Sequence, residues 1–450
     1  MTKRSFKLIL NSKINAFKKT ITVDSDKSIS IRSFLIGAIS QNISTASNIL
    51  ESDDVFSTIQ CLKTLGVKIK KIRPKKYCIY GKGLGSLRLK ENKKLNFGNS
   101  GTLARLLTGI LSTTPGISAY LGGDHSLNKR SMKSLIKLMN KFGASFEPKN
   151  KFNLPLKLTS SKMPIGIKYK AGVSAQLKSA AIFAGLNSFG YTKIVEQQRS
   201  RDHTENMLLN NTQTVKIENK LIKKITILGK NYLNPSKTFV PNDPSSAAFF
   251  SALTLLNKNS SLKIKDVGLN PTRTGFYELL KKQGAKIKFH NLKKINNELH
   301  GDIIVNSSNL KPLNASKFYY TNMTDEYPIL FVMAGLIKGT STFKGINDLA
   351  NKESNRIKEM QKILSQINIK SKFSNGELKI FGKGLLNATD KVVKIPNLGD
   401  HRICMSSFIL GLLTSAKIEI NNFETVYTSS PSFLKIMKKL GAKFEIKKLS

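Results

Sequence analysis

Four segments of this chain end in the same way, and their spacing limits the folds open to it. LKTLGVKIKKI (62–72), LMNKFGASFE (138–147), LLKKQGAKIKF (279–289) and IMKKLGAKFEI (436–446) each close an amphipathic helix, place Gly after it and continue as an alternating strand. A glycine there supplies the left-handed residue that stops a helix, and apolar–polar alternation marks a half-buried strand. MLLNNTQTVKIE (207–218) and KILSQINIKSKF (362–373) read as degenerate copies, with Thr212 and Gln366 at the glycine position. Positions 66, 143, 212, 284, 366 and 441 lie 77, 69, 72, 82 and 75 residues apart, so six units of about 75 residues fill the 450-residue chain. Units that mix helices with short β segments place it in the α/β (α+β) class. A chain of this length exceeds one core, so three units per domain with a boundary near 238–242 is the expected organisation. The first twenty or so residues precede the first copy and could pair with either half.

Composition removes several function classes. Hydrophobic residues make up 40% of the chain, enough for packed interiors. Cys61, Cys78 and Cys404 have no metal-ligand spacing and cannot all pair, which suits a reducing cytoplasm. The N-terminal apolar run is too short for a signal peptide, and no stretch reaches the roughly 18 apolar residues of a membrane span. With five His and neither CxxC nor HExxH, no metal site is expected. The net charge of +46 invites a polyanion-binding reading. Yet the lysines are spread along the chain as singles and pairs, without a long basic tail, an RNP-like motif or a zinc finger. A solvated Lys-rich surface accounts for that pattern, and no nucleic-acid partner is expected.

The arginines say more than the total charge. Of 74 basic residues only 11 are Arg, so Arg is retained where Lys does not serve. A guanidinium grips carboxylate or phosphate bidentately, and an ammonium does not. Arg32, Arg105, Arg130, Arg201, Arg273, Arg356 and Arg402 fall in short motif-like segments, whereas Arg4, Arg73, Arg88 and Arg199 do not. This placement points to an enzyme acting on small, multiply charged anions.

Those segments share a form. DKSISIR (26–32) leads into an apolar run, so Lys27 and Ser28 lie near a helix N-terminus that favours an anion. Ser28 and Arg32, four apart, share a helical face; the same residues would serve as an ordinary cap and a solvated Arg. NFGNSGTLAR (96–105) has the small residues that let backbone approach a ligand, but neither a P-loop nor a GxGxxG fingerprint is present. Asp124 and Arg130 stand in GGDHSLNKRSM, and GVSAQLKS (172–179) offers donors suited to a phosphorylated polyol. In SRDHTE (200–205), His203 could be a base or a structural capping residue. The second half carries DPSSAAF (243–249), NPTRTG (270–275), TDEYP (324–328), KESNR (352–356) and GDHRI (399–403). Carboxylates beside several cations can hold or move a proton.

Taken together, DKSISIRSF, FGNSGT, GVSAQLKSA, SRDHTENML, DPSSAAF, NPTRTG, DEYPIL, KESNR and DHRICM resemble the 5-enolpyruvylshikimate-3-phosphate synthase (3-phosphoshikimate 1-carboxyvinyltransferase) family. The resemblance runs from about residue 20 to the C-terminus, in the family's order, and its wording is closer to the second bacterial class. It implies the enolpyruvyl transferase fold, an inside-out α/β barrel of two domains with three βαβαββ-like repeats each. Residues 23–239 would form the N-terminal domain, mainly on the shikimate 3-phosphate side. Residues 1–22 and 240–450 would form the other, with the active site in a cleft between the two that closes on its substrates. The implied reaction moves the enolpyruvyl group of phosphoenolpyruvate to the 5-hydroxyl of shikimate 3-phosphate through a tetrahedral intermediate, releasing phosphate. It needs no metal or organic cofactor. The implied protein is a cytoplasmic monomer with small-molecule substrates and no nucleic-acid or membrane partner.

The resemblance also implies roles. Lys27 would contact both substrates and take part in catalysis. Ser28, Arg32, Ser174, Ala175, Gln176, Arg201, Asp325 and Lys352 would bind shikimate 3-phosphate, with Asp325 as base for the 5-hydroxyl proton. Asn99, Gly101, Arg130, Gln176, Arg356 and Arg402 would bind phosphoenolpyruvate. Glu353 would be the carboxylate that protonates the methylene carbon. The chain departs from the family at Asp24-Ser25, where proline-glycine is usual, at Ser131 of the RPM triplet, at Asn355, where Asp is usual behind Arg356, and at Cys404. Insensitive members of the second class carry Ala at position 101, so Gly101 implies sensitivity to glyphosate. UDP-N-acetylglucosamine enolpyruvyltransferase shares the fold, but typically uses a catalytic Cys in the stretch that corresponds to 113–131, where this chain has none. A non-catalytic polyanion- or RNA-binding protein would explain the charge but not the motif order.

Overall fold

The computed structural model describes residues 5–90, 93–219, 221–385, 392–414 and 416–448; Arg4 lies outside them. Six four-stranded sheets repeat one topology. In one of them Lys94–Asn96 runs parallel to Ser118–Gly122, which pairs antiparallel with Leu156–Thr159, itself antiparallel to Ser145–Glu147. The register sets Leu95 opposite Leu121 and Leu158 opposite both Ala119 and Phe146. All five of these side chains are buried, as a pleated strand with one face on the core requires. Helix Gly101–Thr113 joins the first two strands and helix Lys133–Lys141 precedes the hairpin, giving β-α-β-α-β-β.

The chain divides into two compact units, one of residues 25–240 with 294–298 and one of 1–24, 241–293 and 299–450. Each has its own apolar core and three of the sheets. Neither sheet set follows the chain simply. Lys237–Phe239 returns to lie parallel to Ile43–Ser47. Lys18–Ile21 lies parallel to Ser261–Gly268, and Phe6–Leu10 pairs antiparallel with both Ile418–Ile420 and Glu445–Lys448. The first residues therefore complete sheets of the second half.

Two kinds of helix alternate. Lys27–Ile39, Gly101–Thr113, Ala175–Leu186, Pro244–Leu256, Tyr327–Leu336 and His401–Thr414 are buried over most of their length, as helices apolar on all sides must be. Asp53–Thr64, Lys133–Lys141, His203–Leu208, Gly275–Lys282, Arg356–Gln366 and Phe433–Leu440 bury only part of theirs. DKS, NSGT, SAQ, DPSS, DEYP and DHR stand at the starts of the six buried helices. SRDHTE, NPTRTG and KESNR stand at the starts of three of the others. Among the described residues no helix is long and apolar enough to cross a membrane.

The repeat holds, with two corrections to its degenerate copies. Gly66, Gly143, Gly284 and Gly441 are left-handed, with φ of +84°, +90°, +97° and +101°. Gln366 instead ends its helix, and the left-handed residue is Asn368 (φ +60°), two before strand Lys370–Ser374, just as Gly66 is two before Lys68–Arg73. Asn tolerates this region because its short side chain can bond locally. At Thr212 no cap exists: successive turns, Asn211 N–H to Leu208 O and Thr214 N–H to Asn211 O, both 2.9 Å, carry the chain to strand Val215–Asn219 without a left-handed residue.

Candidate active site

In the unit of residues 25–240, three buried helices present polar first turns. Asp26 caps Lys27–Ile39 by accepting the Ile29 N–H at 2.8 Å, which fixes Lys27 and Ser28 at its start. Lys27 Nζ pairs with the buried Asp54 Oδ2 at 2.9 Å. Arg32 is buried one turn on. It donates from Nη1 to Ser28 O (3.0 Å), from Nε to Thr204 Oγ1 (2.8 Å) and from Nη2 to Ser179 Oγ (3.0 Å).

The second and third helices meet through Gln176. Ser100 caps Gly101–Thr113 and Ser174 caps Ala175–Leu186, accepting from Leu103 N–H at 3.2 Å and Leu177 N–H at 3.4 Å. Gln176 accepts from Arg105 Nη1 at 3.0 Å and donates to Thr102 Oγ1 at 3.0 Å. Arg105 Nη1 also donates to Gly101 O at 3.1 Å. Arg130 Nη2 donates to Asn99 Oδ1, and Asn99 Nδ2 donates to Asp124 Oδ2 at 2.7 Å. A Cβ on Gly101 would meet Arg105 Nη1 at 2.8 Å and Arg130 Nη1 at 3.1 Å. Asn99, Gly101, Arg130 and Gln176 are thus gathered, with Arg105 among them. Ser174 and Ala175 open the same helix as Gln176, and Arg201 stands half-buried in the loop before His203. His203 is buried with Nδ1 2.9 Å from Glu298 Oε1, a structural pairing rather than an exposed base.

In the other unit, Arg356 is the centre. Its guanidinium is fully buried, with Asp400 Oδ2 2.9 Å from Nε, Glu353 Oε2 2.7 Å from Nη2 and Asp325 Oδ1 3.5 Å from Nη1. Burial alone would lower its pKa; the carboxylates of Asp400, Glu353 and Asp325 more than reverse this and hold it above its ordinary value. Asp400 also accepts from Ser354 Oγ and from Arg402 N–H, both at 3.0 Å, so one carboxylate orders two arginines. Arg402 is buried 5.8 Å from the centre of the Phe249 ring, and its Nε and Nη1 lack a hydrogen-bond partner among the described residues. Lys352 donates to Asp348 Oδ2 at 2.6 Å, beside Tyr320 OH at 2.8 Å from the same oxygen. A separate buried group joins Arg273 to Asp243 Oδ1 (3.1 Å) and Ser245 Oγ (2.9 Å), with Ser245 Oγ donating to Glu326. Arg273, one of the motif arginines, therefore has an internal carboxylate to grip.

The departures read from the sequence are accommodated. Asn355 caps helix Arg356–Gln366, accepting the Lys358 N–H at 3.1 Å, while Asp400, Glu353 and Asp325 flank Arg356. Asp24 is buried and accepts from Ser430 Oγ (3.1 Å) and Ser432 N–H (2.9 Å). Cys404 is buried, and that burial, reinforced by the Asp400 and Glu424 carboxylates, raises its thiol far above the usual range, so it packs rather than reacts. Sequence reasoning left Asp54, Arg105 and Asp400 without a role. A rare Arg in the NSGT segment and an acid two residues before Arg402 were the signals for the last two; Asp54 had none. Among the described residues no group of three His, Cys, Asp or Glu could hold a metal ion.

The model of the EPSP synthase (3-phosphoshikimate 1-carboxyvinyltransferase) family matches residues 12–437. The 3-phosphoshikimate 1-carboxyvinyltransferase of Paramagnetospirillum magneticum is 37% identical over 94% of both chains. That of Bacillus subtilis is 36% identical over 96% of this chain and 99% of its own. The structure of EPSP synthase from Acinetobacter baumannii superposes with a TM-score of 0.83 at 33% identity, over 98% of this chain and 100% of that one. The enolpyruvyl transferase NikO of Streptomyces tendae shares the fold, with a TM-score of 0.73 at 12% identity over 99% of this chain and 100% of its own.

Proposed function

We propose that this chain, which belongs to the EPSP synthase family, holds its two anionic substrates on the arginine-centred groups of its two units. Its activity is that of a 3-phosphoshikimate 1-carboxyvinyltransferase: the enolpyruvyl group of phosphoenolpyruvate passes to the 5-hydroxyl of shikimate 3-phosphate, and phosphate leaves. Lys27, Ser28, Arg32, Ser174, Ala175, Gln176 and Arg201 take shikimate 3-phosphate, with Asp325 and Lys352 at its hydroxyls. Lys27, Asn99, Gly101, Arg130, Gln176, Arg356 and Arg402 take phosphoenolpyruvate. The protein acts as a cytoplasmic monomer on small molecules.

The observation that carries these roles is the gathering of Asp325, Glu353 and Asp400 around one buried guanidinium. Asp325, partly exposed and 3.5 Å from Arg356 Nη1, is the carboxylate that takes the 5-hydroxyl proton. Glu353, 2.7 Å from Arg356 Nη2, is the carboxylate that delivers a proton to the methylene carbon. Arg130 and Arg402 offset charge on the departing phosphate. The test is inorganic phosphate release with both substrates present and with each omitted in turn. Release that needs both supports the reading. Release with UDP-N-acetylglucosamine but not shikimate 3-phosphate, or none with either, overturns it.

A further inference from the structure

Lys178 is a fully buried lysine one turn into helix Ala175–Leu186, outside every role assigned so far. Its ammonium has three donors, and three segments meet them. Glu196 Oε1 at the end of strand Tyr191–Glu196 and Glu205 Oε1 on helix His203–Leu208 each lie 2.8 Å away, and Ser200 O in the intervening loop lies at 3.4 Å. The loop is tied down a second time, because Glu196 Oε1 accepts both Ser200 N–H (2.8 Å) and Ser200 Oγ (2.6 Å). Lys223 Nζ, 3.2 Å from Glu205 Oε1, supplies a second positive charge against the second carboxylate. A buried charge is tolerated only when paired and hydrogen-bonded in this way.

The tie matters because of what its neighbours hold. Arg201 follows Ser200 in the clamped loop. Ser179 and Thr204 each adjoin a partner in the Lys178–Glu205 pair, and their hydroxyls, 2.8 Å apart, are the acceptors of Arg32 Nη2 and Nε. We propose that the buried Lys178–Glu196–Glu205 group is a positioning device that aims Arg32 and Arg201 at the phosphorylated substrate and leaves the phosphoenolpyruvate residues alone. This rests on the assignment of Arg32 and Arg201 to shikimate 3-phosphate. The group touches no substrate; it fixes the two hydroxyls and the loop that hold the guanidinium groups.

The test is a set of variants assayed by phosphate release with each substrate varied separately. Lys178→Met combined with Glu196→Gln removes one charge of each sign and leaves the Lys223–Glu205 pair intact. Glu205→Gln keeps shape and acceptor and serves if the double variant fails to fold, as judged by circular dichroism. Arg32→Lys is the control for the ligand assignment. The expected result is a KM for shikimate 3-phosphate about ten- to a hundredfold higher in the double variant and severalfold higher in Glu205→Gln. The KM for phosphoenolpyruvate and kcat should stay within about threefold, since a charge-assisted contact acts on one ligand's binding only. If Arg32→Lys raises the KM for shikimate 3-phosphate while folded Lys178 or Glu205 variants do not, the positioning role is wrong. Equal rises for both substrates also overturn it, by showing a general structural role. An unchanged KM in Arg32→Lys removes the ligand assignment and the positioning role with it.

Discussion

Replacing Gly101 by Ala should weaken phosphoenolpyruvate binding more than it weakens the fold. The new methyl would lie 2.8 Å from Arg105 Nη1 and 3.1 Å from Arg130 Nη1, where ordinary contact begins at 3.4 Å. Arg105 must therefore retreat by about 0.6 Å (3.4 less 2.8) and Arg130 by about 0.3 Å (3.4 less 3.1). A retreat of that size along the 3.0 Å bond from Arg105 to Gln176 stretches it to about 3.6 Å, beyond hydrogen-bond range. Losing one hydrogen bond to a charged group costs about 1.5–3 kcal/mol, and about 1.4 kcal/mol is tenfold in affinity. Gln176, assigned to phosphoenolpyruvate, loses the partner that orients it, so the KM for that substrate should rise by up to roughly ten- to a hundredfold. Position 101 opens a helix, and Ala is the better helix former by at most about 1 kcal/mol, which offsets only part of the lost bond, so Tm should fall by a few degrees at most. Phosphate release with each substrate varied in turn, together with calorimetric Tm, reads both effects. A KM for phosphoenolpyruvate within twofold of the parent, or a parallel rise for both substrates, would refute the steric argument.

Other outcomes follow from the same geometry. Asp325→Ala should leave binding of both substrates largely intact and cost about 10²–10⁴ in turnover, the range for a lost general base; near-normal turnover would remove Asp325 from that role. Asp400→Ala removes the fully buried carboxylate beside Arg356 and leaves Glu353 and Asp325, so the cost stays below the about 3–5 kcal/mol of a wholly unpaired buried charge; Tm should fall by several degrees and the KM for phosphoenolpyruvate should rise; an unchanged Tm would contradict the hub. Glyphosate should compete with phosphoenolpyruvate, because Gly101 sets no methyl against Arg105 and Arg130; inhibition no better than by an inert phosphonate at matched concentration would sink this. Stability should also depend on acid. Burial opposes the charge on Glu205, but Lys178 and Lys223 outweigh it and depress its pKa in the fold. A depressed carboxylate contributes stability above its unfolded pKa, near 4.5, and loses it as pH falls through the folded value. Lys178, raised in the fold despite its burial, keeps its contribution below about 10.5 and loses it only in strong alkali. Melting from pH 6 down to pH 3 should show a fall that Glu205→Gln flattens, and an equal fall in that variant would exclude Glu205 as the source.

Local chemistry was legible where its reach is short. Asp26, Ser100, Asp124, Ser174 and Asn355 each cap a helix by a bond to an N–H three residues on, so residue type and neighbours suffice to find such positions. The glycine caps were legible for the same reason, and the misplacement at Gln366 shows the limit: Asn368 does the same work without the glycine signal. The partners of the arginines were not legible. Arg356 and Asp400 are 44 residues apart, Arg32 and Thr204 are 172 apart, and Lys178 meets Glu196 and Glu205 only because a strand and a helix fold back past it. A cap is set by a few dihedral angles of one segment, whereas an ion pair between distant segments exists only after strands and helices have packed. The sequence by itself therefore determined the six-unit repeat, the helix starts and the residue types offered at each; the tertiary structure alone decided which carboxylate faces which guanidinium, because that choice depends on burial and on geometry between segments.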